Sequence, residues 1–159
     1  MVRLTPMSEE EFRAFEAASI PNYAEENVRS GRWTPAEAPA RSAAEFRRLL
    51  PEGRSTVDHH FFVARDDGGQ RVGEVWYARL RAEGPPTVFI YWIGVDAPFR
   101  RRGHATHMLR LVEEAARALG AAQVGLHVFG DNAGAIETYR RAGFTAVDLV
   151  MSKPVGPAP

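Results

Sequence analysis

The sequence predicts an α/β (α+β) fold: one mixed central sheet of six to seven strands, with about four helices on its faces. Three observations carry this expectation. From His60 to Val95 the apolar residues recur with a period of two, interrupted by Asp66-Asp67-Gly68-Gly69 and by Arg81–Pro86, the pattern of strands joined by turns. From Thr87 to Phe129 a strand, a helix and a second strand follow one another, and such a unit requires a parallel pair. The full order is strand, two helices, three strands, helix, strand, helix, strand, so antiparallel and parallel pairs share one sheet. A chain of 159 residues with 45% hydrophobic and 25% charged residues has the composition of a globular domain. Residues 1–153 are read as one domain and 154–159, rich in Pro, as a flexible C-terminal tail.

Taken in order, residues 2–6 form a short strand. Ser8 and Glu11 have the spacing of a capping box, with Met7 and Phe12 placed as a hydrophobic staple. The helix they open is expected to be interrupted at Pro21 and to end near Gly31. Thr34-Pro35-Ala36-Glu37 is a second capping box with Pro at the first helical position. Ser42-Ala43-Ala44-Glu45 offers a competing start, and Pro51-Glu52-Gly53 ends that helix. His60–Arg65 and Arg71–Leu80 are successive strands. Thr87–Val95, a β-branched and aromatic run, is a well-buried central strand. In it Phe89, Tyr91 and Ile93 fall on one face, and Ile90, Trp92 and Gly94 on the other. A helix opens at Arg102 or Gly103, with apolar residues at helical spacing from Ala105 to Leu119, and Gly120 closes it. Gln123–Phe129 is a strand, Ala133–Ala142 a helix, and Phe144–Lys153 a final strand.

Charge and cysteine content exclude several functions. Lys+Arg and Asp+Glu are both 20, so the net charge is zero. That balance disfavours a dedicated nucleic-acid or membrane-surface binder. The absence of cysteine removes disulfide scaffolds, Cys-based zinc sites and thiol nucleophiles, and no metal is expected. No apolar run approaches the ~18–20 residues of a membrane span, and the acidic N-terminus does not read as a signal peptide. A cytoplasmic location is the expectation.

Two segments carry chemistry. In the first, a buried strand ends at Val95, a basic turn follows (Arg100-Arg101-Arg102-Gly103) and a helix begins. Free N–H groups at a helix start favour an anion, and Gly103 and Ala105 leave room for one. On the residues alone, a solvated basic turn reads equally well. The segment contains neither a dinucleotide fingerprint nor a Walker loop. In the second, Asn132 stands at a helix start and Tyr139 two helical turns later, on nearly the same face. Taken singly, Asn132 reads as an N-cap and Tyr139 as a core aromatic.

Together the segments resemble the GNAT superfamily of acetyl-CoA-dependent N-acetyltransferases. The family's Gln/Arg-x-x-Gly-x-Gly/Ala is matched by Arg100, Gly103 and Ala105. A downstream Asn-x-x-Ala-x-x-x-Tyr-x-x-x-Gly-Phe is matched by Asn132, Ala135, Tyr139, Gly143 and Phe144. The resemblance implies that the fourth and fifth strands are parallel and splayed at their C-terminal ends, with the pantetheine arm of acetyl-CoA between them. Ile93, Gly94 and Val95 then meet the arm, Gly94 being placed for a bulge. The pyrophosphate falls on Arg100, Arg101, Arg102, Gly103, His104 and Ala105. Asn132, Ala135 and Tyr139 line the cofactor, and Tyr139 protonates the leaving thiolate.

The implied activity is direct acetyl transfer to a primary amine in a ternary complex. The alternative is an acyl-CoA-binding sensor without turnover. Many family members carry a Glu on the fourth strand as base, and this chain has none there. Glu74, Asp96 and His127 are the candidate bases, against the plainer readings of a solvated strand carboxylate for Glu74 and a satisfied core histidine for His127. The acceptor, a small molecule or a peptide amine, is expected near Tyr23, Trp33, Trp76, Tyr91 and Trp92, where a cation could sit over a ring. Glu25, Glu26 and Asp58 could attract it. The edge of the fourth strand or the aromatic surface is a candidate homodimer contact.

Overall fold

The first helix begins as its sequence predicts. Ser8 Oγ accepts from the Glu11 N–H at 3.1 Å and Glu11 Oε2 accepts from the Ser8 N–H at 2.9 Å, so the capping box is formed. Met7 and Phe12 are buried in one apolar cluster. The computed structural model describes residues 1–157; Ala158 and Pro159, part of the expected tail, lie outside the described residues. After β1 (Val2–Pro6), α1 (Glu9–Arg29) runs through Pro21 without the expected interruption. Pro21 and Ala17 are both exposed. The carbonyl left without its N–H donor is therefore on the wet side of the helix, where water can serve it.

The next helix, α2 (Ala38–Leu49), starts later than the Thr34–Glu37 box suggests, because residues 35–37 form a turn. Pro39 falls in its first turn, where no N–H is needed. Ser42 is no alternative start. It is buried, and its hydroxyl donates to the Ile20 carbonyl at 2.6 Å, tying α2 to α1.

Four more strands follow: β2 (His59–Asp66), β3 (Arg71–Leu80), β4 (Thr87–Val95) and β5 (Gln123–Leu126). The helices α3 (His104–Ala118) and α4 (Ala133–Arg141) complete the order. The strands lie in sequence order across one sheet. All neighbours are antiparallel except β4 and β5, which are parallel and joined through α3. Two apolar layers hold the helices to opposite faces. Val72, Val75, Tyr77, Val88 and Ile90 pack with Met108, Leu109, Val112 and Ala116 of α3. Phe61, Val63 and Trp76 pack with Phe12, Phe15 and Phe46 of α1 and α2. Each such side chain contributes about 1.5–3 kcal/mol on burial.

Two expectations for the strands are corrected. The sheet has five strands among the described residues, not six to seven. Phe144–Lys153 forms no strand, and the strand expected over Gln123–Phe129 ends at Leu126. Val147, Leu149 and Met151 alternate as a strand would, yet they are 96%, 77% and 90% exposed. Alternation becomes a strand only against a partner surface, and β5 is a short edge of four residues.

The irregularity in β4 also lies elsewhere than expected. Trp76 pairs with Trp92 but Tyr77 with Ile90, so the extra residue of the bulge is Tyr91, not Gly94. The insertion flips the alternation. Ile90 and Ile93 both pack on the α3 side, while Tyr91 and Trp92 pack on the α1–α2 side. Gly94 has a different reason to be glycine. The Trp92 indole lies 3.0 Å from where its Cβ would sit, and a Cβ on Gly73 would lie 2.2 Å from the Gly94 carbonyl oxygen. At this level the β3 and β4 backbones are too close for side chains.

Candidate functional site

The site begins where a ladder stops. β4 pairs with β5 from Thr87↔Gln123 to Ile90↔Leu126. β4 then continues to Val95, still paired with β3 as far as Gly73↔Val95. Beyond Ile90 the two parallel strands part, and Ile93, Gly94 and Val95 have no strand on the β5 side. An extended backbone without a ladder partner offers N–H and C=O groups to whatever enters the gap.

The basic turn closes one end of this gap. A short 3₁₀ turn over Ala97–Phe99 leads to Arg100, whose Nε donates to the Val95 carbonyl at 3.0 Å. Arg101 (φ 62°) and Gly103 (φ 79°) are both left-handed. Gly103 is the N-cap of α3 and supplies no capping side chain. The first N–H groups of α3, beginning with His104 and Ala105, thus have no partner within the helix, and left-handed residues beside them make the kind of concavity that receives anions. A Cβ on Gly103 would touch nothing within 4 Å, so its φ and not crowding demands glycine. Arg102 stacks on Phe99, 5.8 Å from guanidinium carbon to ring centroid.

Helix α4 faces the same region. Asn132 Oδ1 accepts from the Ala135 N–H at 3.2 Å, so the N-cap role holds and its amide N–H groups are left to donate. Tyr139 is partly buried against the α3-side core, its ring 5.8 Å from Phe144. Burial pushes its hydroxyl pKa up, and the charge of Glu26 on α1 adds to this.

The Acetyltransferase (GNAT) family matches the chain over residues 23–144. The chain belongs to the GNAT family of acetyltransferases. Among relatives, the uncharacterized N-acetyltransferase YdgE of Bacillus subtilis (strain 168) is 36% identical over 94% of this chain and 96% of its own length. YycN of the same organism, also an uncharacterized N-acetyltransferase, is 37% identical over 96% and 97%. The crystal structure of YycN superposes with a TM-score of 0.93, covering 99% of this chain and all of the other.

Enzymes of the GNAT family use acetyl-CoA and need a way to free the acceptor amine of a proton. The three candidate bases differ in how available they are. Glu74 lies on β3 opposite Gly94, and Arg71 Nη2 holds its Oε2 at 2.7 Å. Burial raises the Glu74 pKa, Arg71 pulls it back, and Asp96 raises it further. The same guanidinium binds Asp96 at 3.1 Å. Glu74 and Asp96 are thus two arms of one ion triad beside the end of β4. His127, just past β5, stands apart from them. Desolvation lowers its pKa, and the charge of Arg32 lowers it more. Its ring meets Phe129 edge-on at 5.0 Å.

The expected acceptor residues also separate. Trp76 is a core residue, stacked on Tyr91 at 4.5 Å, with its Nε1 donating to His59 Nδ1 at 2.9 Å. Trp33 meets Tyr23 edge-on at 5.4 Å and is covered by Arg41. Asp58 is engaged by Arg81, and Glu25 is exposed. Trp92 and Tyr91 remain partly exposed beside the gap.

Sequence reasoning missed one element of the site. Arg29 at the end of α1 pairs with Asp131 in the loop leading into α4 at 2.7 Å, and the charge of Glu26, one turn earlier on α1, helps to raise the Tyr139 pKa. No local signal links residues a hundred positions apart. Among the described residues, no group of three or more His, Asp or Glu is arranged to hold a metal, and no helix is long and apolar enough to cross a membrane.

Proposed function

We propose that this acetyltransferase moves an acetyl group from acetyl-CoA to a primary amine by direct attack within a ternary complex. The observation that carries this reading is the end of β4–β5 pairing at Ile90↔Leu126, beside the left-handed Arg101–Gly103 turn. An extended arm fits the gap and a diphosphate fits the turn. Acetyl-CoA supplies the acetyl group already activated as a thioester.

The chain's residues then divide the work. The backbone of Ile93, Gly94 and Val95 receives the arm as an added strand would be received. N–H groups of residues 101–105, with Arg101 and Arg102, hold the diphosphate, each contact modest and the set additive in effect. Arg100, already on the Val95 carbonyl, fixes the turn to the strand. Asn132 and Ala135 line the arm from α4. A β4 N–H meets the charge developing on the acetyl oxygen. Tyr139, a phenol that holds its proton at neutral pH, gives that proton to the departing sulfur. With no cysteine in the chain, no thiol can carry the acetyl group between donor and acceptor.

The test is a panel of primary amines, from polyamines to N-terminal dipeptides, incubated with acetyl-CoA and read by release of free CoA thiol. Release that requires both protein and amine is expected. Stabilisation by acetyl-CoA in a melting experiment without thiol release across the panel would favour the sensor reading instead.

A further inference from the structure

The C-terminal segment is built like a strand but pairs with nothing. Val147, Leu149 and Met151 alternate with Asp148, Val150 and Ser152, and the large apolar residues among them, with Val155, are all exposed. Every residue from 145 to 157 is exposed. Beyond Phe144 the backbone makes one hydrogen bond among the described residues, from the Leu149 N–H to the neighbouring Asp148 Oδ1 at 2.8 Å. A folded domain rarely leaves so continuous an apolar run in water.

The sheet has a matching vacancy. β5 is bonded to β4 on one side only, so its outer N–H and C=O groups face no strand. Beside that edge lies a groove of about 560 Å³, with Leu109 and Ala116 of α3, Val124 of β5, and Phe144, Thr145 and Val147 in its walls. The opposite edge of the sheet is guarded. At β1 the Val2 N–H donates to His107 Nδ1 at 2.9 Å, and Arg3 and Pro6 stand on the strand. β4, the strand expected to offer a dimer contact, is internal to the sheet.

The segment of the same chain does not fill this groove. Thr145 and Val147 already form one of its walls, and residues 145–157 contain no turn that would lead back to β5. Extended, residues 148–155 span about 26 Å at ~3.3 Å per residue, long enough to reach a neighbouring molecule.

We propose that the protein forms a dimer by exchange, each copy laying its segment from Asp148 to Val155 along the β5 edge of the other, with Leu149 and Met151 turned into the groove. The exchange is reciprocal, so it closes on two copies and leaves neither an open edge nor an unpaired segment. Segment and groove together make a surface of the extent a stable interface needs, about 20–30 residues a side. β5 also borders the gap that opens past Ile90 and Leu126, so the second copy braces the back of the strand that walls the site.

The test is sedimentation of the full chain, with amide hydrogen exchange beside it. The wild type is expected to sediment at twice the mass of one chain at micromolar concentration. Amides of residues 124–126 and 148–151 are expected to exchange slowly together, with protection that falls on dilution. A double variant, Leu149→Asp with Met151→Asp, is expected to be a folded monomer by circular dichroism, because both side chains are exposed within one chain. Each substitution should raise the dimer dissociation constant at least about tenfold, as the loss of an interface anchor does. A monomeric wild type would overturn the proposal, whether residues 148–151 exchange fast or are protected by folding back on their own domain. A double variant that stays dimeric would place the contact on another face and overturn it as well. If the double variant unfolds, the wild-type exchange decides alone: slow and dilution-sensitive over both segments supports the dimer, fast over 148–151 contradicts it. None of these results bears on the transferase reading, which the amine panel tests separately.

Discussion

Replacing Tyr139 by Phe is expected to lower kcat by about 10²–10⁴-fold, the range of a positioned general acid, with acetyl-CoA affinity nearly unchanged. The ring and the hydroxyl of Tyr139 have separate roles. The ring packs on Phe144 and the α3-side core, and Phe preserves all of that. The hydroxyl makes no hydrogen bond among the described residues, and its pKa is raised by burial and then by Glu26. It therefore holds its proton at neutral pH and has no structural partner to lose. A thiolate leaving without a proton donor is the cost of the substitution. Steady-state kinetics with saturating acetyl-CoA measures it; an unchanged kcat would remove Tyr139 from the chemical step.

The second large effect is on the frame of the cleft. Gly73→Ala is expected to destabilise the protein by at least the upper part of the roughly 1–3 kcal/mol that overpacking costs. A Cβ at this position would lie 2.2 Å from the Gly94 carbonyl oxygen and 3.2 Å from two further backbone atoms of β4. A flexible side chain could move away, but strand backbone in a ladder cannot. β3 and β4 must then separate at the level of Ile93, Gly94 and Val95, so acetyl-CoA affinity should fall along with stability. Urea unfolding and calorimetry report the two. A variant with wild-type stability would show that the β3–β4 approach is more yielding than its geometry implies.

Much of this was legible in the residues, for reasons that are local. The Ser8–Glu11 box, the start of α3 at Gly103 and the Asn132 cap are set by neighbours within a turn or two, and each is found where its spacing places it. The parallel β4–β5 pair follows from the length of the crossover. What was illegible depends on partners distant in sequence. The bulge at Tyr91 exists only in the register of β4 against β3, and it reverses the faces that simple alternation assigns. Pro21 suggests a break that its exposed position does not require. Phe144–Lys153 has the pattern of a strand but pairs with none, and the open edge of the sheet at β5 is only four residues long. Glu74 has the chemistry of a base, yet Arg71 holds it and Asp96 together, and Asp96 reaches that cation only because β4 ends beside β3.

The most direct measurement is a crystal structure of the protein with coenzyme A. The diphosphate should lie on the backbone of the Arg100–Ala105 turn, the pantetheine arm should run between β4 and β5 beyond Ile90 and Leu126, and the sulfur should point to Tyr139. A turn left bare, or β4 and β5 hydrogen-bonded to each other past Ile90 and Leu126 with the ligand elsewhere, would contradict the account at its foundation.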